Sequence, residues 1–524
     1  MVQDMLDPEF YVGVVDEVDG QGNRRRVTSK YADTVFAQAG ASFDSCGPSA
    51  VTLERLPIVC TEIPGESEWA RQALSADSSG PPAVPMSPQC RKRDRDGEME
   101  DVDGAAAASE EMSEGVTGGA TGGAPADDEM EEAFAVAAEG KRRGNILEAK
   151  TRSGPDSLTR ASSLAALVKV YDDDSSLVKV TQAVEVLGVL SIDPTATAFE
   201  SPDATFDIPA PPCSVLPRLH AIVLAPVDLC LAVPRPPVPT PPAVLRAAVA
   251  TTVTAALGGD ALAAEYLLAL MTSRVWARHD AMVVGKLSLN LQSVTQTMGQ
   301  AIADCLRNIH PRCHRVSLSV DELNKTPLAP KKDYERNRLS QGELQLAQGT
   351  MLLVDETVMA PGTLQAQGLK NLEAIKDVAV HQTSQYDFQY YQVPFHTDTP
   401  VLLLSEGKSI VPADAHVPVR PVAAAVNVDH ATILAARAWL EMARRHEPTV
   451  DDNLRQVMES DYVQARARDQ TVNQECFHRW LTLARLWAAT HGEVTVTAER
   501  WTATLQLERD ARARSPTPAQ PPAS

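Results

Sequence analysis

The chain has 524 residues, 44% hydrophobic and 22% charged, and carries a formal charge of −21. That length leaves room for several domains of about 100–200 residues each. So acidic a balance argues against a protein that coats nucleic acid through its own net field, which needs a basic face, and it suits one that meets protein partners, with room for one local basic patch.

Strand texture begins at once, with Val2, Met5, Phe10, Val12 and Val14, and no basic n-region leads into an apolar core as in a signal peptide. No apolar run approaches the roughly 18 residues of a membrane span. Eight scattered cysteines without a CxxC pair read as reduced thiols of an intracellular protein. Further strands are expected at "FYVGVVDEV" and "TLERLPIVCTEIPGE".

Composition changes near Gln72. From 72 to 163 the chain is Ser, Gly, Ala, Pro and acid, as in "EEMSEGVTGGATGGAPADDEMEEAF", too poor in aromatic and β-branched residues to offset chain entropy. A disordered acidic insertion is predicted there. Two basic clusters flank its acidic part, Arg91-Lys92-Arg93 and Lys141-Arg142-Arg143. They read either as solvated charge or as a nuclear import signal.

Strands resume in "LVKVYDDDSSLVKV", alternating through Val168, Val170, Val178 and Val180. Val184, Val186 and Leu187 to Leu190 around Gly188 predict a bent, more buried strand. "RLHAIVLAPVDLCLAV" predicts a pair of strands between two proline-rich stretches. Together these segments, some five or six short strands, suggest a five-stranded OB-like barrel built from 1–71 and 164–232, with a proline-rich linker at 233–243.

From Val244 helices and strands alternate, which predicts an α/β sheet domain over 244–429. Helices are expected at "AVLRAAVATTVTAAL", "DALAAEYLLALMTSRVW", 294–308 and "GLKNLEAIKDVAV"; strands at "GKLSLNL", "RVSLSV", "LLVDE", "YDFQYYQVPF" and "PVLLLSE". Residues 430–510 read as helical, with Phe477, Trp480, Leu481, Ala484 and Trp487 on one stripe and Thr497 as an N-cap. The tail, 511–524, is expected to be disordered.

Met351 to Val354 run into Asp355 and Glu356, the way P-loop ATPases end the strand that holds Mg²⁺ and orients water. Such an enzyme also needs G-x-x-x-x-G-K-[ST]. Gly407-Lys408-Ser409 follows the Asp-Glu strand and has Leu402 where the first glycine belongs. Gly285-Lys286 has Leu287 in place of the hydroxyl and Asp280 in place of the glycine, and Leu257 to Leu268 carries Glu265 and no lysine. Asp355 and Glu356 are therefore at most vestigial, and no cofactor is implied. Cys305, His310, Cys313 and His314 match no common zinc spacing, so no metal is implied either. Tyr386, Phe388, Tyr390 and Tyr391 read as base-stacking groups or, more simply, as sheet packing.

Seven blocks carry a resemblance: "VQDMLDPEFYVGVV", "LVKVYDD" with "AVEVLGVLSIDP", "LGGDALAAEYLLALMTSRVWARHD" with "GKLSLNL", "KDYERNRLSQGELQL", "LLVDET", "YDFQYYQVPF" and "LLLSEGKSIVPAD". In order and spacing they resemble the minichromosome maintenance (MCM) complex-binding protein family, from Val2 to about Glu508. Family members carry several dozen further residues before "QDM", so an N-terminally truncated chain is expected. The resemblance implies a nuclear, non-enzymatic partner of the MCM replicative helicase, on chromatin indirectly through MCM. It further implies roles in the assembly, stability and late S-phase unloading of MCM complexes and in sister-chromatid cohesion. MCM subunits join an OB-containing domain to an AAA+ ATPase domain and a helical lid. The expected fold is therefore mixed α/β: an interrupted OB-like barrel, an AAA+-like domain with a degenerate nucleotide site, and a C-terminal lid at "NQECFHRWLTLARLWAATHGEVTVTAERW". No membrane association and no strong direct DNA binding are expected. The alternative is a single-stranded nucleic-acid-binding OB-fold replication factor.

Overall fold

A computed structural model describes residues 1–33, 37–44, 47, 49–77, 165–171, 178–191, 217–227, 240–279, 282–334, 338–422 and 428–514. Both basic clusters and most of the acidic insertion lie outside these residues.

The first part is a curled sheet of β1 (Val2–Met5), β2 (Glu9–Val18), β3 (Arg24–Thr28), β4 (Ser42–Asp44), β5 (Val51–Thr61), β6 (Ala165–Tyr171), β7 (Val184–Ser191) and β8 (Arg218–Pro226). Its order is β3-β2-β5-β6-β8-β7, with β1 beside β5 and β4 beside β2. The sheet thus has eight strands where five or six were expected. The Val2 amide donates to the Gln182 carbonyl at 2.9 Å and the Thr181 amide to the Val2 carbonyl at 2.8 Å, so the first strand meets the lead-in to β7. Val2, Ile58, Val168, Val170, Val178, Ala221 and Leu224 fill the curl.

Two expectations here need correction. Val178 and Val180 belong to a turn that carries Thr181 at φ 69°, not to a strand, although Val178 is still buried. β7 does bend at Gly188, where its register against β8 slips. A Cβ there would lie 2.2 Å from the His220 carbonyl oxygen, which is why glycine stands at the bulge. The strand is not buried, however: Leu187 is 67% and Leu190 57% exposed. β7 ends the strand order, and its outward face meets no covering layer among the described residues.

Past β5, α1 (Glu68–Asp77) runs through the composition change at Gln72. The α/β part follows with α2 (Pro242–Ala256), α3 (Ala261–Thr272), β9 (Ala277–His279), β10 (Met282–Val284), β11 (Ser288–Gln292), α4 (Gln296–Ile309), β12 (Cys313–Ser317), α5 (Val320–Lys325), β13 (Lys331–Asp333) and β14 (Arg338–Ser340). Next come β15 (Met351–Asp355), α6 (Ala366–Lys376), a π-helical turn (Asp377–His381), β16 (Thr383–Asp387), β17 (Gln392–His396), β18 (Val401–Leu404) and β19 (Ala415–Pro418).

Five of these strands form a parallel sheet in the order β12-β15-β18-β11-β19. Its strands are near-continuous apolar runs because both faces are covered. Leu289, Leu291, Met351, Leu353, Leu402 and Leu404 face α2, α3, α4 and α7 (His430–Arg445). Val316, Leu352, Val354, Val401 and Leu403 face the other way, toward Leu323 of α5 and Ile375 of α6. Each such fully buried leucine contributes about 1.5–3 kcal/mol by leaving water.

The segment "YDFQYYQVPF" is a hairpin, β16 and β17, turning through Gln389 at φ 67°, rather than one strand. Three helices, α8 (Asp452–Arg468), α9 (Gln474–Thr490) and α10 (Ala498–Arg514), close the chain. They share a small core around Met458, Trp480 and Trp501. The Thr497 hydroxyl accepts from the Arg500 amide at 3.2 Å and caps α10, as its sequence position predicts. α9 has two apolar faces, since Leu483, Leu486 and Trp487 join the core of the sheet instead.

Candidate functional site

In an open parallel sheet, ligands bind beyond the carboxyl ends of strands, where neighbouring connections leave in opposite directions. β11 leads away to β12 at one edge, and β18 leads past β11 to β19 at the other. The switch point is therefore the β11/β18 boundary, one strand from Asp355.

A phosphate loop would stand between β11 and α4. The chain places Ser293-Val294-Thr295 there, three residues without glycine or lysine. The Val294 amide donates to the Ser405 carbonyl at 3.1 Å, and the Ser293 amide to the Glu406 carbonyl at 3.2 Å. Val294 is fully buried. Thr295 caps α4 by accepting from the Met298 amide at 3.4 Å. The helix N-terminus that would receive a phosphate is occupied by its own chain. Sequence reading missed this position, because strand order, which sets it, is not written locally.

The three near-matches to a phosphate loop have structural roles. Gly258 and Gly259 both take positive φ between α2 and α3, and Glu265 pairs with Arg246 at 2.5 Å. Gly285 turns against Trp276, and Lys286 pairs with Asp414 at 2.9 Å. Ser409 donates to a Glu356 oxygen at 2.7 Å.

Asp355 is 0% and Glu356 9% exposed. Asp355 binds the Arg315 guanidinium and accepts from Thr357, from its hydroxyl at 2.7 Å and its amide at 3.0 Å. Arg315 continues to Gln300 of α4 at 2.5 Å. Glu356 also accepts from the Ile410 amide at 3.3 Å, and burial pushes its carboxyl above the usual range despite these bonds. Both acids hold the sheet's own loops together. The residues do not fit a Mg²⁺-nucleotide: the Arg315 guanidinium already balances Asp355, and the loop from β11 to α4 carries neither glycine nor lysine.

Cys305, His310, Cys313 and His314 come near one another only as parts of the core. The Cys305 thiol donates to the Thr252 carbonyl at 3.8 Å, and burial pushes both thiols up to about 12. Among the described residues no group of three His, Cys, Asp or Glu side chains is placed to hold a metal.

The aromatic segment divides. Tyr386 is 1% exposed and lies on Phe395 at 4.2 Å between ring centroids. At the hairpin tip Tyr390 is 85% and Tyr391 58% exposed; Phe388 stacks on Tyr391 at 5.2 Å, and the Tyr334 hydroxyl donates to the Phe388 carbonyl at 2.9 Å. On the curled sheet, the Arg24 guanidinium lies 3.3 Å from Asp44 and that of Arg26 lies 3.6 Å from Asp16, so this basic strand is largely offset by its neighbours.

A family model described as mini-chromosome maintenance replisome factor matches residues 1–515. A mini-chromosome maintenance complex-binding protein of Arabidopsis thaliana is 32% identical over 97% of this chain and 86% of its own length. One from Danio rerio is 30% identical over 97% of this chain and 86% of its own. A Homo sapiens protein of the same description is 30% identical, with 98% and 87% covered.

Proposed function

The chain belongs to the mini-chromosome maintenance replisome factor family, and from that membership we propose that it is a non-enzymatic binding partner of the MCM complex. The match over residues 1–515 is the observation that carries this reading. In the nucleus the protein regulates the assembly and stability of MCM complexes and their unloading from chromatin in late S phase, with a link to sister-chromatid cohesion. It reaches chromatin through MCM, and the basic clusters at Arg91 to Arg93 and Lys141 to Arg143 serve import.

The architecture supports a subunit mimic. The curled sheet is read as an OB-like domain, the parallel sheet with helices on both faces as an AAA+-like domain, and the terminal helices as its lid. Asp355 and Glu356, tied to Arg315 and Ser409, are read as the remnant of a nucleotide site. A protomer of this shape occupies the face of an MCM subunit that a ring neighbour would take, driven by binding energy rather than hydrolysis. The exposed tip at Tyr390 and Tyr391 suits such an interface, where aromatic anchors carry much of the energy. A single-strand-binding factor would instead need an unpaired basic groove with stacking aromatics, and Arg24 and Arg26 are paired with acids.

The test is co-purification of the tagged chain with nuclear MCM subunits, with and without MgATP. Recovery of an MCM set lacking one subunit, in equal yield under both conditions, is expected. Recovery of no MCM protein overturns the proposal.

A further inference from the structure

A second site lies at the opposite, amino-terminal end of the parallel sheet. A cleft of about 390 Å³ opens there between the curled sheet, the segments entering β12, β15 and β18, and the last turns of α7. Its charged lining is Arg274, Arg312, Arg444 and Arg445 against Asp398 and Glu441. In a chain of charge −21, this lining carries two cations more than anions.

Two of the arginines are built in. Arg312 is 3% and Arg444 7% exposed. Arg444 donates to the Met271 carbonyl at 3.3 Å and lies 3.4 Å from the His310 ring. Arg445 is matched by Glu441 at 2.6 Å. Arg274 reaches Glu447, outside the lining, only at 3.8 Å, and its buried Nε has no hydrogen-bond partner. Burial and then the charges of Arg444 and Arg312 hold the His310 imidazole far below its usual value, so the ring stays neutral in a cationic field.

We propose that this cleft binds a phosphate monoester dianion, supplied as free phosphate or as the phosphoryl group of a phosphorylated serine. Such a group carries about −1.5 to −2 charges at neutral pH, opposite in sign to a lining rich in arginine. The volume falls within the roughly 300–1,000 Å³ of small-molecule sites. Guanidinium groups are the side chains best shaped to fork onto phosphate oxygens. Arg274, Arg312 and Arg444 arrive from three different segments, so a bound dianion ties the helical layer to the sheet beside the curled domain. This inference stands apart from the MCM reading and is tested separately.

The experiment is isothermal titration of the full chain with orthophosphate and with O-phosphoserine at matched ionic strength, repeated on Arg274→Glu and Arg274→Gln. Arg274 is one-third exposed at its side chain, so both variants are expected to fold, as their melting without ligand will report. Losing one charge-assisted contact weakens binding about tenfold or more. Binding of both ligands, lost in the variants, supports the proposal with free phosphate as a sufficient source. Binding of O-phosphoserine alone, likewise lost, assigns the source to a modified side chain. Absence of binding by either ligand, or binding unchanged in a folded Arg274→Gln, overturns it.

Discussion

Arg315 and Asp355 illustrate how far the role of a residue depends on its partner. An Asp at the end of an apolar strand has metal-binding chemistry available to it, but here it is fully buried and a guanidinium from the adjacent strand pairs with it. Arg315→Met therefore leaves a buried carboxylate unpaired and is expected to cost about 3–5 kcal/mol in urea unfolding. Replacing both partners by apolar residues, Arg315→Met with Asp355→Leu, is expected to cost much less, because no uncompensated charge remains. Equal losses in the single and double variants would refute the pairing argument. Asp398 titrates in the opposite sense from a stabilising ion pair. Burial raises its carboxyl above 3.8, with Arg444 and the Val275 amide opposing. A raised folded-state value means that this group favours the fold below about pH 4 and opposes it as pH rises through the shifted value. Asp398→Asn should then match the parent chain in acid and gain on it up to pH 7. Melting temperatures of the two chains across that range give the check.

At the level of elements, the β16–β17 hairpin separates packing from presentation within six residues. Tyr386→Ala opens a cavity under Phe395 and is expected to cost about 3–5 kcal/mol. Tyr390→Ser with Tyr391→Ser touches solvent-facing rings and is expected to change stability by less than about 0.5 kcal/mol. If the tip meets the MCM complex, the same pair of changes lowers co-purification while the fold holds. Unchanged recovery would move the contact elsewhere. The bulge in β7 is equally local. Gly188→Ala pushes a methyl group into the His220 carbonyl and should cost about 1–3 kcal/mol through strain in the β7–β8 ribbon. The glycine was legible as a bend because strands rarely tolerate one without a backbone reason. Its neighbours' burial was misread, since a run of Leu and Val reads alike on a covered and an uncovered face.

For the whole molecule, the core of the curled sheet joins Val2 and Ile58 to Val168, Val170 and Leu224, which lie on the two sides of the acidic insertion in sequence. Replacing residues 81–162 by a Gly/Ser linker should leave the melting temperature in place and, on the import reading, reduce nuclear accumulation of a fluorescent fusion. A fall in melting temperature would show that the insertion contributes to the fold. The sequence by itself determined four of the five strands of the parallel sheet, the main helices after Val244, the cap at Thr497 and the lack of a phosphate-binding motif, because periodicity, capping and motif spacing are short-range properties. It also carried the family, through seven ordered blocks. Only the tertiary structure decided where a phosphate loop would have stood, that Arg315 neutralises Asp355, that eight strands curl together, and that four arginines from three distant segments line one cleft. Those facts depend on strand order and on contacts between residues far apart in the chain, and no local pattern encodes them.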